Sequence, residues 1–347
     1  MPVTTRATAV QADRLVFWLP DPDELVTSVR LWSEVPVGDD SFVRVDDGWQ
    51  LDVPIPRAHR VEYLYTLHHE HGRDMITDPT NPRSVDGVFG AHSWLPMPGY
   101  AEPDWLDAPR LQGHVTPVHF DTVDGLVTGE LWAPADVWRG TPLPLLICHD
   151  GTQMARYGRL TDFLAAATAS HRTPLLRVLL LDPGADRNGR YAANPRYANA
   201  LVADILPAIN AQVCCIGKPV LMGQSLGALA ALHAARRHPG TFAGLFLQSG
   251  SFFTAQFDPQ ERGYSHWADV TGFTSTLYRN AAPERIPTTF VCGTQEENLA
   301  NNVALATHLA GSGGDVGWGE VPDGHTWTTW RDLLDPHLTR LLMEAWR

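Results

Sequence analysis

Several features are scarce in this sequence of 347 residues, and each scarcity excludes a class of protein. Residues 1–10 contain no apolar core of the length found in signal peptides, and no later stretch is apolar for long enough to span a membrane. The formal net charge is −13 and the chain has no run of lysine or arginine, which argues against a nucleic-acid partner. We therefore expect neither a membrane nor a nucleic acid among its partners.

Cysteine is also rare, with four residues that all lie after the predicted β-sandwich and linker. Cys148 and Cys292 lie in apolar, strand-like runs, so we expect buried thiols there. Cys214 and Cys215 are adjacent, which does not suit an ordinary structural disulfide, and the CxxC spacing of a zinc site is missing. The cysteines therefore predict a reduced, cytoplasmic compartment and no metal site.

The length and composition fit a globular protein with two domains. Domains typically take about 100–200 residues, and hydrophobic residues at 44% with charged residues at 19% are usual for globular chains. A change in the sequence pattern and a proline-rich stretch divide the chain. We predict an N-terminal β-sandwich over residues 1–97, a linker over residues 98–110 and a second domain over residues 111–347.

Short β-branched and aromatic segments fill the first part of the chain, separated by turn residues and without a helical pattern between them. This spacing is typical of a small, immunoglobulin-like β-sandwich. Its tryptophans and tyrosines could bind a carbohydrate, but a small two-sheet core also needs large side chains, and we favour core packing. The predicted strands are residues 15–19, 29–32, 49–53 and 61–67.

Strands alternate with helices from about residue 114, and each predicted strand is a nearly continuous apolar run. This pattern predicts the fold class α/β, with a mostly parallel sheet, helices on both faces and an active site at the carboxyl ends of the strands. The predicted strands are residues 115–120, 126–132, 143–148, 175–181, 219–222, 242–250 and 288–293. The predicted helices are residues 160–169, 197–209, 299–309 and a stretch from 227 to about 238.

One motif at a strand end carries the strongest chemical signal. Gly223-Gln224-Ser225-Leu226-Gly227 follows a short apolar strand and precedes an Ala/Leu-rich helix, as the nucleophile elbow Gly-x-Ser-x-Gly does. Such a sharp turn strains its serine, and the flanking glycines keep the turn free of Cβ atoms. We expect Ser225 to be a nucleophile and the N–H of Leu226 to face an oxyanion. The alternative is an ordinary tight turn.

A second strand end is expected to complete the oxyanion hole. His149-Asp150-Gly151-Thr152 follows a buried strand, at a position that supplies a second oxyanion N–H in hydrolases of this arrangement. Gly151 or Thr152 is the expected donor, and the sequence leaves both open. We expect the side chains of His149 and Asp150 to hold this turn by hydrogen bonds.

The other members of a serine–acid–histidine triad are expected after later strands. Glu296 and Glu297 follow the predicted strand 288–293 and both qualify as the acid, although glutamates that open a helix also act as caps. His325 lies in a glycine-containing turn before the last helix, from which its imidazole can reach a serine. His308, within a helical stretch, and His337, at a helix start, suit the role of base less well.

Three motifs together resemble the putative-esterase family of α/β-hydrolases. They are Gly-Gln-Ser-Leu-Gly at 223–227, Cys-Gly-Thr-Gln-Glu-Glu-Asn at 292–298 and Asp-Gly-His-Thr-Trp-Thr-Thr-Trp at 323–330. A preceding β-sandwich that ends in Asp-Pro-Thr-Asn-Pro resembles the cytoplasmic enterochelin (siderophore) esterases of that family. The resemblance implies an α/β-hydrolase fold with Ser225 as nucleophile, His325 as base and Glu296 as acid.

The resemblance also implies where a substrate binds. Arg190 matches an arginine that lies near the pocket in these esterases and could meet an anionic ligand. Residues 191–195 depart from the Glu-Leu or Glu-Tyr that usually follows it, and the alternative for Arg190 is a structural salt bridge. The other expected substrate contacts are Arg187, Trp267, Trp327 and Gln224.

Together these features predict a serine esterase that acts on a small-molecule ester and needs neither a metal nor an organic cofactor. A catechol-type siderophore lactone is the expected substrate, with a feruloyl- or acetyl-type ester or acyl transfer as alternatives. The alternative hypothesis, from a non-enzymatic class of function, is a carbohydrate-binding protein that retains the hydrolase half as a scaffold. Intact Ser225, Glu296 and His325 favour the enzyme, because a scaffold requires none of them.

Overall fold

A computed structural model describes residues 6–280 and 285–347 as two compact units. The first unit is the chain up to Ala101 together with two short segments from later in the sequence, residues 294–296 and 321–326. The second unit consists of residues 102–293, 297–320 and 327–347. The break after Ala101 falls inside the stretch predicted to be a linker.

The first unit contains two antiparallel sheets. Its strands are β1 (Ala9–Gln11), β2 (Arg14–Pro20), β3 (Ser28–Ser33), β4 (Val43–Val45), β5 (Gly48–Pro54), β6 (Arg60–His69), β7 (Gly72–Ile76), β8 (Ser84–Gly87) and β9 (Gly90–Pro96). In the described part of the unit, one sheet has the order β1-β2-β5-β4. The other has the order β3-β6-β9-β8, with β7 paired to β6. All four predicted strands are present, as β2, β3, β5 and β6.

Large side chains from both sheets form one core in the first unit. Phe17 of β2 and Tyr63 of β6 are fully buried, and their ring centroids lie 4.9 Å apart. The hydroxyls of Tyr63 and Tyr65 donate to the buried Asp78 carboxylate at 2.7 and 2.8 Å, so their polar atoms are satisfied inside the core. Trp49 is buried as well. This burial supports core packing rather than carbohydrate binding for these aromatic residues.

The large sheet is mixed and mostly parallel. Its strands are β10 (Gly113–Thr122), β11 (Gly125–Pro134), β12 (Leu145–His149), β13 (Arg177–Leu181), β14 (Val220–Gln224), β15 (Gly244–Gln248), β16 (Thr288–Gly293) and β17 (Val316–Val321). Their order is β10-β11-β13-β12-β14-β15-β16-β17. The neighbours from β13 to β16 pair in parallel, whereas β11 is antiparallel to both β10 and β13. Every residue of β12, β13, β14 and β15 is buried, as expected for strands covered on both faces.

Ten α-helices accompany this sheet in the described residues. They are α1 (Gly151–Arg156), α2 (Leu160–Ala169), α3 (Arg187–Tyr191), α4 (Pro195–Ala200), α5 (Leu206–Gln212), α6 (Leu226–Arg237), α7 (Trp267–Arg279), α8 (Leu299–Gly311), α9 (Trp327–Asp332) and α10 (His337–Ala345). Among them, the longest have 13 residues, and none combines the length and the apolar character that crossing a membrane requires.

The predicted helix 197–209 is divided, which the sequence pattern did not indicate. A π-helical turn, Leu201–Ile205, joins α4 to α5, and Pro207 lies in the first turn of α5. Proline has no backbone N–H and its ring crowds the carbonyl one turn earlier, so a wider turn before it relieves the clash. The predicted strands and the other helices are present with boundaries shifted by a few residues at most.

Candidate active site

Ser225 occupies a strained turn between β14 and α6. Its backbone has φ 55° and ψ −121°, a region that a residue with a Cβ rarely adopts. Hydrogen bonds hold it there, because its N–H donates to the Gln248 carbonyl at 2.9 Å and its carbonyl accepts the Ala228 N–H at 3.1 Å. The turn therefore has the geometry expected of the nucleophile elbow.

The two glycines of this turn lie where a side chain would not fit. A Cβ on Gly223 would come within 2.3 Å of the backbone carbonyl atoms of Gly227, and backbone atoms cannot rotate away. A Cβ on Gly227 would lie 3.1 Å from both Asp150 Oδ2 and the Cβ of His149. The close approach of strand and helix explains why both positions are glycine.

A second serine, Ser251, contacts Ser225. The two Oγ atoms are 3.2 Å apart, and the Ser251 N–H donates to the Ser225 carbonyl at 3.2 Å. Ser251 is 2% exposed and follows the end of β15. No motif in the sequence marks Ser251, although its place just after the strand next to the elbow could have indicated it.

An amide network supports the loop that carries Ser251. Asn302 donates from Nδ2 to the Gly250 carbonyl at 2.8 Å and accepts the Gly250 N–H on Oδ1 at 3.0 Å. Asn298 Nδ2 donates to the Ser249 carbonyl at 3.1 Å, and the indole N–H of Trp330 donates to Ser249 Oγ at 2.9 Å. Ser249 has φ 47°, so these bonds hold a loop in a conformation that is unfavourable by itself.

Gln224, expected to contact the substrate, is fully buried. Its Nε2 lies 3.2 Å from Gln248 Oε1 and 3.8 Å from Cys148 Sγ, inside the sheet. Both glutamines end neighbouring strands, so their contact ties β14 to β15 directly beneath Ser225. The position of Gln224 gives it a supporting part in the elbow.

The candidate oxyanion donors lie at the starts of two helices. Leu226 is the first residue of α6, and Gly151 and Thr152 are the first two of α1. The first N–H groups of a helix have no partner within it and can face an anion. A Cβ on Gly151 would lie 2.4 Å from the Cα of Leu180, so this turn is pressed against β13. The Thr152 hydroxyl donates to Asp182, which leaves its backbone N–H as its candidate group.

Arg187, another expected substrate contact, pairs with Asp150. Its Nε and Nη2 donate to the two carboxylate oxygens at 2.9 and 2.8 Å. Burial lowers the pKa of Arg187, but the hydrogen bond and the charge of Asp150 outweigh it and raise the pKa overall. Asp150 has φ 48° and directly precedes α1, so this ion pair holds the turn that carries Gly151.

His149 is fully buried beside the same turn. Its Nδ1 lies 3.3 Å from the Met222 carbonyl oxygen, and its ring packs edge-on against Tyr191 and Tyr197. Burial lowers the pKa of His149 to about 4, so the imidazole is neutral near pH 7. Both His149 and Asp150 thus have the structural contacts that the sequence led us to expect.

Arg190 has its donors directed at protein groups. Its Nε donates to Asp124 Oδ2, its Nη1 to the Pro183 carbonyl and its Nη2 to the Leu126 carbonyl, each at 3.2 Å. The side chain is 11% exposed. These contacts favour the structural alternative for Arg190 over binding of an anionic ligand.

The two expected aromatic contacts belong to separate clusters of the second unit. Trp267 begins α7 and stacks on Phe253, with ring centroids 6.2 Å apart and planes 22° apart. Trp327 begins α9, with Tyr157 at 5.7 Å and Trp330 edge-on at 4.9 Å. Both tryptophans are half-buried, so each retains surface that a ligand can cover.

In the first unit, His325 contacts Glu296. His325 Nδ1 lies 2.7 Å from Glu296 Oε2, and the Glu296 side chain is fully buried. Glu297 is exposed and accepts a hydrogen bond from Gln260 at 3.4 Å. This contact favours Glu296 among the two glutamates that the sequence left open as the acid. Ser225 belongs to the second unit.

Comparisons with known proteins identify the family and the fold. The family model described as Putative esterase matches residues 125–341. The enterobactin esterase FES from Shigella flexneri, crystallised in the presence of 2,3-di-hydroxy-N-benzoyl-serine, is 21% identical, with a TM-score of 0.78 over 99% of this chain and 97% of its own. Ferric enterobactin esterase (fes) from Salmonella typhimurium is 23% identical, with a TM-score of 0.77 over 96% of this chain and 93% of its own.

A ferulic acid esterase is 16% identical, with a TM-score of 0.57 over 68% of this chain and 99% of its own. No match was found among curated protein sequences. At these identities the solved structures show the fold alone. They confirm the predicted class, an α/β-hydrolase fold preceded by an N-terminal β domain.

Proposed function

Because the chain belongs to the putative-esterase family of α/β-hydrolases and is a carboxylic-ester hydrolase, we propose that Ser225, His325 and Glu296 form its catalytic triad. The observation that carries the proposal is the 2.7 Å contact between His325 Nδ1 and Glu296 Oε2. A carboxylate at Nδ1 fixes the tautomer of the imidazole and leaves Nε2 to accept a proton from a serine hydroxyl. The order serine, acid, histidine along the chain is also that of this fold.

In the proposed reaction, Ser225 Oγ attacks the ester carbonyl while its proton moves to His325 Nε2. The N–H groups of Leu226 and of Gly151 or Thr152 stabilise the negative oxygen of the tetrahedral intermediate. The imidazolium then returns the proton to the departing alcohol, which leaves an acyl group on Ser225. A water molecule, deprotonated by His325, attacks the acyl enzyme and releases the acid.

We also propose a lactone of the catechol-siderophore type as the substrate. The similarity to two enterobactin esterases, over 99% and 96% of this chain, supports it, because it includes the N-terminal β unit. The similarity to the ferulic acid esterase extends over only 68% of this chain. A lactone carries its leaving alcohol and its acyl group in one molecule, so the opened chain stays on Ser225 until water releases it. An iron ion held by such a ligand would be part of the substrate.

The test compares wild type with Ser225→Ala on a short-chain p-nitrophenyl ester and on a triscatecholate lactone, iron-free and iron-loaded. Ser225→Ala should lower kcat by more than about 10³-fold on every substrate, because the other triad members cannot act without the nucleophile. The matched control is Ser170→Ala, which removes a hydroxyl bonded to the Ala166 carbonyl at 2.8 Å in the turn after α2. It should keep kcat within about twofold of wild type.

A kcat/KM for the lactone about 100-fold above that for the simple ester would support the siderophore-type substrate. Serine-dependent hydrolysis of the simple ester without lactone cleavage would overturn that substrate and leave the triad in place. Turnover that persists in Ser225→Ala would overturn the triad.

A further inference from the structure

The turn that carries His325 is attached to the first unit at successive residues. Pro322, Asp323 and Gly324 directly precede His325, and all belong to that unit. The Pro322 carbonyl accepts a hydrogen bond from the His59 backbone N–H at 2.6 Å. The turn is thus joined to the residue that precedes β6.

The next residue, Asp323, forms a buried ion pair with Arg60, the first residue of β6. Arg60 Nη2 lies 2.6 Å from Asp323 Oδ2, and both side chains are 1% exposed. Asp323 Oδ1 accepts the Gly324 N–H at 2.9 Å, so the carboxylate connects Arg60 to the backbone of the turn. Arg60 is itself held, because its Nη1 donates to the Tyr100 hydroxyl at 2.6 Å and its guanidinium lies 5.0 Å from the centre of that ring.

The third residue, Gly324, packs against Glu34. A Cβ on Gly324 would come within 3.1 Å of the Glu34 Cβ and carbonyl oxygen, which is closer than nearly all real Cβ contacts. Burial raises the pKa of the Glu34 carboxyl, and the nearby His325 offsets part of this rise. Glu34 directly follows β3, so a second strand of the first unit leads into a residue that packs on the turn.

The segment that carries Glu296 is bonded to the same turn. The Thr294 N–H donates to the Val321 carbonyl at 2.8 Å, and the Gln295 N–H donates to the Asp323 carbonyl at 3.0 Å. Asp323 therefore meets Arg60 through its side chain and the Glu296 segment through its backbone. A shift of Asp323 would change the geometry of Glu296 and His325 together.

From these contacts we propose that the Arg60–Asp323 ion pair positions His325, which makes Arg60 a positioning residue for ester hydrolysis. The inference rests on the proposed role of His325 as base. A general base works only within hydrogen-bond reach of its proton donor, and a displacement of about 1 Å can cost about 100-fold in rate. Arg60 lies 265 positions before His325 in the chain, so nothing in the local sequence of either residue indicates the link.

The test measures kcat and KM on a p-nitrophenyl ester for Arg60→Met and Arg60→Lys, with active enzyme counted by the burst of p-nitrophenol. Arg60→Met should lower kcat about 10- to 100-fold and change KM less than about threefold, because the base is displaced while the candidate substrate contacts Trp267 and Trp327 are unchanged. Arg60→Lys retains a positive charge beside Asp323 and should recover several-fold of that loss.

The matched control is Arg177→Met. Arg177 is also 1% exposed, and its four hydrogen bonds run to backbone carbonyls of the second unit, at residues 138, 139, 141 and 214. It should lower Tm as Arg60→Met does and keep kcat within about threefold of wild type. Equal losses of kcat in the two variants would overturn the inference, because the loss would then follow stability alone.

A second variant covers the case in which Arg60→Met does not fold. Arg60→Leu with Asp323→Leu removes the close pair together, which buried ion pairs often tolerate without loss of stability. Glu62, 3.8 Å from Arg60 Nε, keeps its contact with His92 at 3.8 Å in this variant. This double variant should fold and show the same fall in kcat. Wild-type kcat in the folded double variant would overturn the inference. Ser225→Ala in the same series separates the proposed triad from the proposed role of Arg60. If Ser225→Ala is inactive and Arg60→Met is fully active, the triad stands and the role of Arg60 is overturned.

Discussion

Glu296 and Glu297 are neighbours in the chain, but Glu296 is buried and Glu297 is exposed. Comparing variants of the two tests which of them is the triad acid. Glu296→Gln keeps the size of the side chain but removes the charge proposed to hold the His325 tautomer. We expect kcat to fall about 10²- to 10⁴-fold, by analogy with the loss of the triad acid in serine hydrolases. Glu297→Gln changes an exposed carboxylate and should stay within about twofold of wild type.

Kinetics on a p-nitrophenyl ester, with circular dichroism to verify folding, measure both glutamate variants. Similar losses in the two variants would contradict the assignment of Glu296. A larger loss in Glu297→Gln would move the role of acid to the exposed residue, against the contact seen with His325.

The residues of the candidate site differ in how far the sequence alone could predict their roles. Ser225 and His325 lie in motifs whose turn chemistry can be read locally, and the structure gives Ser225 the strained backbone that such a motif predicts. The choice between Glu296 and Glu297 depends on which side chain turns inward, and local pattern carries no such information. For Arg187 and Arg190 the sequence gives the charge but not the partner, so it could not reveal Asp150 and Asp124.

Among elements, the elbow and helix α7 each contain a glycine, but the space available for a Cβ differs between the two. A Cβ on Gly223 meets backbone atoms at 2.3 Å, whereas Gly272 lies within α7 with open space around its Cβ position. We expect Gly223→Ala to lower the free energy of unfolding by about 3 kcal/mol or more, since overpacking against backbone cannot relax by rotamer change. Gly272→Ala should raise it by about 0.5–1 kcal/mol, because alanine loses less entropy in a helix.

Urea unfolding at pH 7 measures both glycine variants. A neutral or stabilising Gly223→Ala would contradict the close contact between β14 and α6. A destabilising Gly272→Ala would show that its Cβ position is occupied.

Elements that the sequence predicted share long apolar runs or clear helical spacing, as in β13 and α2. The missed elements lack these signals. Strands β1 and β4 have three residues each, β7 is mostly exposed, and β17 contains two glycines. Helix α7 contains three threonines and a glycine, all weak helix formers, so packing rather than propensity forms it.

For the whole molecule, the buried His149 and the half-buried His233 make stability depend on pH. Burial lowers the pKa of His149 to about 4, and burial with the charge of Arg237 lowers that of His233 to about 4. An unfolded histidine titrates near 6.5, so the unfolded chain binds more protons between pH 6.5 and 4. The contribution is fully present above pH 6.5 and is lost as the pH falls through this window. It amounts to about 3 kcal/mol at most for His149.

The free energy of unfolding in urea, measured from pH 7 to pH 4, should therefore fall. His149→Phe should flatten this fall, because a phenyl ring cannot take the proton that the unfolded histidine binds. His119→Gln, a change at an exposed histidine, is the control and should leave the slope unchanged. An unchanged slope in His149→Phe would contradict the neutral, buried state of this ring.

The composition of the first unit has a consequence for how such chains can recombine. Three of its residues come from positions 294–296 and six from positions 321–326, whereas the stretch 102–293 between them and Ala101 belongs to the other unit. A crossover near residue 101 would exchange Arg60 and Glu34 without exchanging Asp323 and Gly324. The N-terminal β domain therefore cannot be exchanged on its own between related proteins without loss of these contacts. A protein that acquires a different β domain must keep residues 34 and 60 compatible with residues 323 and 324. The turn near the C-terminus and the strands near the N-terminus are therefore expected to evolve together.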